Sequence, residues 1–431
     1  MQCTELAPNL QKEVQSYYLP TQTNKKSINW NEYNRRIVEF FFKSLRSQGK
    51  PDFIIGVSED SMVLGNALSR LFGKPIGYIM STPDGKIAKN VSIVIPSKNN
   101  TDFQEKDLKG KGLLVDVSSK VRASKVKDEI LKKHPGIENL NTEILFQASS
   151  LNDDIVLPDE IFKRLDLSGL QQKHLQDLSD EQLAHMAEKI YDNLSKDQSK
   201  TISFKDLDLD PLPIIPQQIS NNQNTGPLNV TWDDYGRLII TLALKITRAN
   251  ANINFIVGIG RGGLAIAKAI SQILGKPLAA TITSSYKGDG ECARSELLIA
   301  QHISIGDESQ LEGVGILIDD LWESGTTVKK TRLYLIKDNI SDLVTAVLFL
   351  KTPTDEQPNI YIQTVNKKRW IVLPDEIFES LNLTSIEAKD IANISDEKIS
   401  QLTEDLFDNL PIDPTEKIST EVVRRLILKY A

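Results

Sequence analysis

The residues best able to do chemistry lie in one stretch, Ile316 to Val328, ILIDDLWESGTTV. Apolar residues run into two adjacent carboxylates, Asp319 and Asp320, and then into Glu323 and Ser324-Gly325-Thr326-Thr327. The apolar run predicts a buried parallel strand, and the VKKTRLYLI that follows predicts a helix. The polar residues would then sit where the strand ends and the helix begins, the place at which open α/β sheets bind ligands. Ser324 to Thr327 offer hydroxyls, backbone N–H groups and a helix N-terminus, a natural seat for a phosphate. Asp319 and Asp320 would repel that phosphate. They suit ribose hydroxyls or a Mg²⁺ bridging the sugar. A solvated acidic turn with an ordinary Ser/Thr helix cap has the same composition.

A second stretch, Gly258-Ile259-Gly260-Arg261-Gly262-Gly263, follows the apolar strand FIVG and opens the helical pattern LAIAKAISQIL. Its glycines let backbone amides approach an anion, and Arg261 adds a cation suited to a diphosphate. The string contains GxGxxG, so a dinucleotide site has to be weighed. The acid that such a site needs at the end of the next strand is missing from AATITSS.

These elements belong to a chain that repeats itself. INWNEY from Ile28 matches VTWDDY from Val230, and FIIGVSEDSMVLGNALSRLFGKPI from Phe53 matches FIVGIGRGGLAIAKAISQILGKPL from Phe255, both at an offset of 202. LLVDV matches ILIDD at an offset of 203, and LPDEIF recurs at Leu157 and Leu373, an offset of 216. The second copy therefore carries about 13 extra residues between Lys351 and Trp370. Each copy reads strand–helix–strand–strand–helix–strand with a helical tail, so two tandem α/β domains with mainly parallel, twisted sheets flanked by helices are expected. The expected divisions are a polar leader (1–26), a first domain (27–195), a linker rich in Ser, Asn, Gln, Asp and Pro (196–228), a second domain (229–411) and a terminal helix (412–431). The tails are expected to pack the copies together or to bind a partner.

Composition narrows the classes. The 431 residues suffice for two or three domains, and a net charge of −7 gives no sign of a nucleic-acid-binding chain. Cys3 and Cys292 cannot build a disulfide framework, and no apolar run reaches membrane-spanning length. A cytoplasmic protein is expected, with neither nucleic acid nor membrane as partner. The four histidines form no constellation.

With both stretches in view, the second copy resembles the type I phosphoribosyltransferases. It is most similar to bacterial xanthine-guanine (6-oxopurine) phosphoribosyltransferase, since VTWDD, GRGGL, SSY, IDDLWESGTT, LK and WIVLP occur in family order from Asn229 to Glu376. The resemblance implies 5-phosphoribosyl 1-diphosphate (PRPP) and a purine base as substrates, with Mg²⁺ as cofactor. Asp319 and Asp320 would hold the ribose and the metal, and Ser324, Gly325, Thr326 and Thr327 the 5-phosphate. Arg261, Gly262 and Arg294 or Lys287 would meet the pyrophosphate. Lys351 would bond the exocyclic oxygen of the purine, Trp370 would stack on the base, and Ile371 would read its edge through the backbone. Ser284-Ser285-Tyr286 and KGDGECARSE resemble the loop that covers the reacting PRPP. Glu323 matches the acid that handles the proton on purine N7, as Glu where the family commonly has Asp. Ser324 replaces the usual Thr, Trp322 is bulky for its place, and Asp375 stands where an aromatic is common.

The first copy keeps the apolar skeleton without this chemistry. Arg261-Gly262-Gly263 becomes Glu59-Asp60-Ser61, Asp319-Asp320 becomes Asp116-Val117, and Glu323 becomes Lys120. Ser324 to Thr327 become Val121-Arg122-Ala123-Ser124, and Lys351 and Trp370 fall opposite Ala148 and Asp154. Two acids in the diphosphate position repel the ligand. The expectation is a purine-salvage enzyme with one live site and a folded, inactive first copy, arranged as an intramolecular pseudo-dimer or a homo-oligomer. The alternatives are a regulatory protein that binds PRPP or a nucleotide without turnover, and a phosphoribosyltransferase with a non-purine acceptor.

Overall fold

The structure is a computed structural model and describes residues 26–79, 108–146, 155–197, 200–207, 226–249, 252–260, 262–284, 298–299, 311–336 and 339–431. In the first half, helix α1 (Trp30–Gln48) precedes β1 (Phe53–Gly56), α2 (Ser61–Phe72), β2 (Ile76–Tyr78), β3 (Gly110–Asp116), α3 (Lys120–Lys133) and β4 (Ile137–Ile144). The strands form a parallel sheet in the order β2-β1-β3-β4. A tail follows, with helix α4 (Asp180–Lys196) its largest piece.

The second half repeats this plan. It comprises β5 (Leu228–Asn229), α5 (Trp232–Arg248), β6 (Phe255–Gly260), α6 (Gly262–Leu274), β7 (Leu278–Ser284), β8 (Leu298–Ile299), β9 (Gly313–Trp322), α7 (Thr326–Leu335), β10 (Ile340–Thr352), β11 (Ile360–Asn366) and β12 (Ile371–Val372). Helices α8 (Asp396–Asp408) and α9 (Thr420–Tyr430) make its tail. The main sheet runs β8-β7-β6-β9-β10-β11, parallel except for the β7–β8 pair. Ile316, Leu317 and Ile318 are fully buried, because helices cover both faces of a parallel sheet.

The repeat extends to local signals. Asn29 caps α1 by accepting from the Glu32 N–H at 2.9 Å, and Thr231 caps α5 in a capping box with Asp234. Trp30 and Trp232, equivalent residues one after each cap, stack on each other at 3.7 Å with their rings 2° from parallel. This stack joins like residues of the two halves.

The tails cross over and so pack the two halves together. Ile161, Phe162, Leu183, Ile190 and Leu194 of the first tail share one core with Ile239, Leu242, Ile270 and Ile273 of the second half. Lys245 on α5 pairs with Asp180 at 2.5 Å. Reciprocally, Phe378, Leu383, Leu402, Leu406 and Ile427 complete a core around Ile37, Phe41 and Phe42 of α1. Arg35 meets Glu404 at 2.8 Å. Each buried Leu, Ile or Phe is worth roughly 1.5–3 kcal/mol, so the exchange outweighs any single ion pair along it. Part of the stretch expected as linker is ordered, since Ile202–Ser203 pairs in parallel with Leu165–Asp166.

Candidate active site

Strand β9 carries the acids further into the sheet than the sequence suggested. The ladder with β10 continues past Asp319↔Val347 to Leu321↔Phe349 and Trp322↔Leu350, so the carboxylates lie within the strand and the turn begins at Glu323. The cause is Trp322. Its indole is buried, donates from Nε1 to the Glu356 carbonyl at 3.0 Å and anchors the extra strand residues. The same ring explains Gly325, where φ is +68° and a Cβ would stand 2.2 Å from the indole. The bulky residue is accommodated by tucking beneath the loop.

From Gly325 the chain enters α7. Ser324 and Thr326 are exposed and their hydroxyls lie 2.9 Å apart, with the Thr326 N–H directed at Ser324 Oγ at 3.4 Å. Two hydroxyls, the first amides of a helix and the positive end of its dipole converge on one solvent-facing spot. Glu323 is exposed beside it.

The glycine loop and the acid pair meet directly. A Cβ on Gly263 would lie 2.2 Å from the Ile318 carbonyl oxygen, and one on Gly262 would lie 2.0 Å from Asp320 Oδ2. The sequence assigned these glycines to anion approach. The structure adds that only glycine lets the start of α6 press against the acidic end of β9. Asp319 and Asp320 are half-buried by surface area yet crowded by neighbours. Burial raises the pKa of both, and the charge of Asp320 raises Asp319 further, as that of Asp375 does Asp320. The Asp320 N–H donates to Asp319 Oδ1 at 3.0 Å. Such a pair, whose joint ionisation is opposed by burial and mutual repulsion, is chemically matched to a divalent cation whose remaining ligands are substrate and water oxygens. Among the described residues no group of three or more His, Cys, Asp or Glu could hold a metal by protein ligands alone.

Across the sheet, Lys351 lies near the end of β10, buried, with its ammonium 5.9 Å from the centroid of the Trp370 ring. It forms no ion pair among the described residues, whereas Trp370 is 59 % exposed. A buried cation facing a wetted indole makes a platform with one flat apolar face and one strong donor. Ile371 follows in β12, pairing with β5. The Leu228 N–H donates to the Trp370 carbonyl at 2.8 Å and the Val230 N–H to the Val372 carbonyl at 3.0 Å. By strand alternation the N–H and C=O of Ile371 face the opposite edge.

Arg261, Lys287 and Arg294, the residues expected at the pyrophosphate, lie outside the described residues, as do Ser285 and Tyr286. Ala148 and Asp154 of the first half do too.

At the matching place in the first half, the chain's own charges fill the site. Arg122, aligned with Gly325, donates to fully buried Asp116 through Nε at 2.6 Å and Nη2 at 2.5 Å. Asp60 meets Lys163 at 3.1 Å and Lys268 of α6 at 3.2 Å, while Gln272 donates to Glu59 at 2.7 Å. Burial opposes ionisation of Asp60, but Lys268 and Lys163 outweigh it and hold the carboxyl well below its usual range.

Asp375 has a partner that the sequence did not reveal. It accepts from Arg70 at 2.9 Å and from Asn66 at 3.1 Å, both on α2 of the first half, and Arg70 also bonds Glu379. Beside it, burial and the charge of Asp375 push the Glu376 carboxyl up to about 8. The sequence held one usable signal, for LPDE stands in both copies although only one copy has the lysine and tryptophan that precede it. Asp159, the counterpart of Asp375, indeed crosses to Lys268 on α6 at 2.6 Å. A motif shared by unlike sites points to work between the halves.

Residues 231–376 match the family model of the phosphoribosyl transferase domain. Over 147 residues the chain is 27 % identical to xanthine-guanine phosphoribosyltransferase of Gluconobacter oxydans, covering 34 % of this chain and 82 % of that protein. Among solved structures it is similar to a purine phosphoribosyltransferase from Pyrococcus horikoshii, at 28 % identity and a TM-score of 0.29 over 34 % of this chain and 92 % of that one. It is also similar to a protein from Neisseria gonorrhoeae solved with bound ppGpp, at 24 % identity and a TM-score of 0.30 over 38 % and 96 % of the two chains. The second half is thus a phosphoribosyl transferase domain, and the chain is an enzyme of the pentosyltransferase class.

Proposed function

We propose that this chain, whose residues 231–376 form a phosphoribosyl transferase domain, moves the 5-phosphoribosyl group of PRPP to a 6-oxopurine (guanine, xanthine or hypoxanthine) in purine salvage. The observation that carries the reading is the convergence of three parts: the acid pair of β9, the glycines of α6 pressed against it and the hydroxyl-lined start of α7. The Lys351–Trp370 platform is matched to a planar base carrying an exocyclic oxygen. The organisation proposed is two tandem domains, 27–195 and 229–411, joined by 196–228 and closed by a terminal helix at 412–431.

In the reaction the bond from ribose C1 to the diphosphate oxygen breaks and the bond from C1 to purine N9 forms. Ser324, Gly325, Thr326 and Thr327 hold the 5-phosphate. Asp319 and Asp320 orient the ribose hydroxyls and favour positive charge developing at C1. Mg²⁺ held by this pair would supply charge for the departing diphosphate. Arg261, Gly262 and Arg294 are the residues proposed for the same leaving group. Glu323, exposed at the turn, is placed in reach of solvent and takes the proton from the base. Lys351, Trp370 and Ile371 fix the base. The first copy, its acids neutralised by Arg122, Lys163 and Lys268, serves as the inactive partner of an intramolecular pseudo-dimer.

The test is turnover. Purified protein with PRPP and Mg²⁺ is incubated separately with guanine, xanthine, hypoxanthine, adenine and orotate, and pyrophosphate release is followed. Release with a 6-oxopurine is expected. Release with orotate alone would overturn the base assignment. Binding of PRPP with no release from any base would point to a non-catalytic sensor.

A further inference from the structure

We propose that Arg70, on α2 of the inactive half, is a positioning residue for the purine platform of the other half, working through Asp375; the proposal rests on the function given above. Trp370 and Ile371 lie only five and four residues before Asp375, joined to it by β12 and the Pro374–Glu376 turn. β12 is a two-residue strand whose one ladder partner among the described residues is the equally short β5. A two-residue ladder, flanked by the bonds at 2.8 and 3.0 Å, is a short hold for a wall that must present an exposed indole at a fixed angle. The second anchor is Asp375. Its carboxylate is clamped by the Arg70 guanidinium and the Asn66 amide, both from across the interface.

The clamp is asymmetric in a telling way. Asn66 and Arg70 align with Lys268 and Gln272 at the repeat offset of 202. In the reciprocal contact Lys268 takes Asp159, and Gln272 turns to Glu59. A guanidinium therefore sits only on the side that serves the base platform. Its planar fork bonds two carboxylates at once, Asp375 and Glu379, which a lysine ammonium cannot match in geometry. Arg70 is itself held rigidly, its side chain 8 % exposed inside a helix. The inactive half is thereby a structural part of the live site rather than a spectator.

The experiment uses the full-length protein with Arg70→Gln, Arg70→Lys and Asp375→Asn, and Lys268→Met as the control for the reciprocal clamp. Michaelis constants for the base and for PRPP, kcat, the melting temperature and amide hydrogen exchange of residues 368–376 are measured. For Arg70→Gln the KM for the base should rise on the order of tenfold, as expected when a wall shifts by a fraction of an ångström. The KM for PRPP should stay within about twofold, exchange in 368–376 should quicken, and Arg70→Lys should recover part of the loss. Asp375→Asn should reproduce the effect, which keeps the idea testable if the Arg70→Gln protein fails to fold. Lys268→Met should lower the melting temperature and leave the base KM alone. A lower melting temperature with an unchanged base KM for Arg70→Gln would overturn the proposal, as would equal shifts for base and PRPP. If the unmodified protein turns over no purine, the functional reading fails. Unchanged exchange in 368–376 of the Arg70→Gln protein would still sink the clamp on its own.

Discussion

The two halves carry an aspartate at the same place on the same strand, and the two residues live opposite lives. Asp116 is fully buried and satisfied by a bidentate arginine from its own half. Its counterpart Asp319 and the adjacent Asp320 crowd each other, and their surroundings push both towards the neutral form. One half has spent its acid on stability; the other keeps two acids in a state that only a cationic or hydroxyl-bearing ligand relieves. Acids crowded in this way beside a glycine loop and a hydroxyl-lined helix start are the signature on which the proposed site rests. In the proposed reading, the relaxed half is the same scaffold released from that work.

Mutating one acid of each half breaks or confirms this contrast most forcefully. Asp320→Asn should cut pyrophosphate release by roughly 10²–10³-fold, the usual cost of removing one preorganised electrostatic group. It should also leave the melting temperature at neutral pH unchanged or raised, because a repelled charge has gone. Asp116→Asn should do the reverse. Turnover should survive, but stability should fall by about 3–5 kcal/mol, since Arg122 would be left buried without its counter-charge. Calorimetry and the turnover assay on both variants decide the matter, and a loss of kcat in an Asp116→Asn protein that calorimetry shows to be folded would end the claim that the first half is inactive.

The next contrast concerns the base platform. Trp370→Ala should weaken the base by about 1–3 kcal/mol, roughly 5–150-fold in its KM, with the KM for PRPP little changed. Lys351→Ala should act on the same constant. Equal damage to PRPP binding would show that the indole does not face the base.

A smaller effect belongs to the glycines. Gly263→Ala forces a methyl onto the Ile318 carbonyl and should cost about 1–3 kcal/mol together with activity. The aligned residue in the first half is Ser61, already bearing a Cβ and bonding Ser58 at 3.0 Å, so Ser61→Ala should cost only about 1 kcal/mol. Comparable losses at both positions would mean that the close approach of α6 to β9 has no special role.

Much of this architecture was legible in the chain. The offsets of 202 and 203 anticipated a mainly parallel sheet in each half, and apolar runs into polar turns anticipated the strand that carries the acid pair, the glycine start of α6 and the hydroxyl-rich start of α7. Local pattern suffices there because strand, turn and cap chemistry are short-range. It failed where the answer depends on long-range packing. The extension of β9 to Trp322 rests on a bond to Glu356, far along the chain, and no periodicity announces it. The exchange of the tails rests on which of two similar apolar surfaces each helix chooses, and the copies offer near-equal patterns. Arg70 reads in sequence as one more exposed helical arginine, and only the fold brings it to Asp375.

The mildest test compares two glutamates of the repeated LPDE motif, Glu376 and Glu160. Burial raises the pKa of both, and next to Glu376 the charge of Asp375 drives it to about 8. Near Glu160 the cation Lys163 opposes the rise, at a salt-bridge distance of 3.9 Å. The sign of the effect on stability follows from proton counting. Between the unfolded pKa of about 4.3 and the folded value of about 8, the folded protein holds a proton on Glu376 that the unfolded chain has lost. Raising the pH through that window therefore destabilises the fold, and the penalty is complete above the folded pKa. Glu376→Gln should remove this slope, flatten the melting profile between about pH 5 and 8 and raise the melting temperature by a few degrees at the upper end. Glu160→Gln should change the same profile less, because Lys163 already offsets part of the cost of its charge. If the two variants flatten the profile equally, the electrostatic difference between the halves does not extend to this motif, and Asp375 is not felt by its neighbour as the geometry requires.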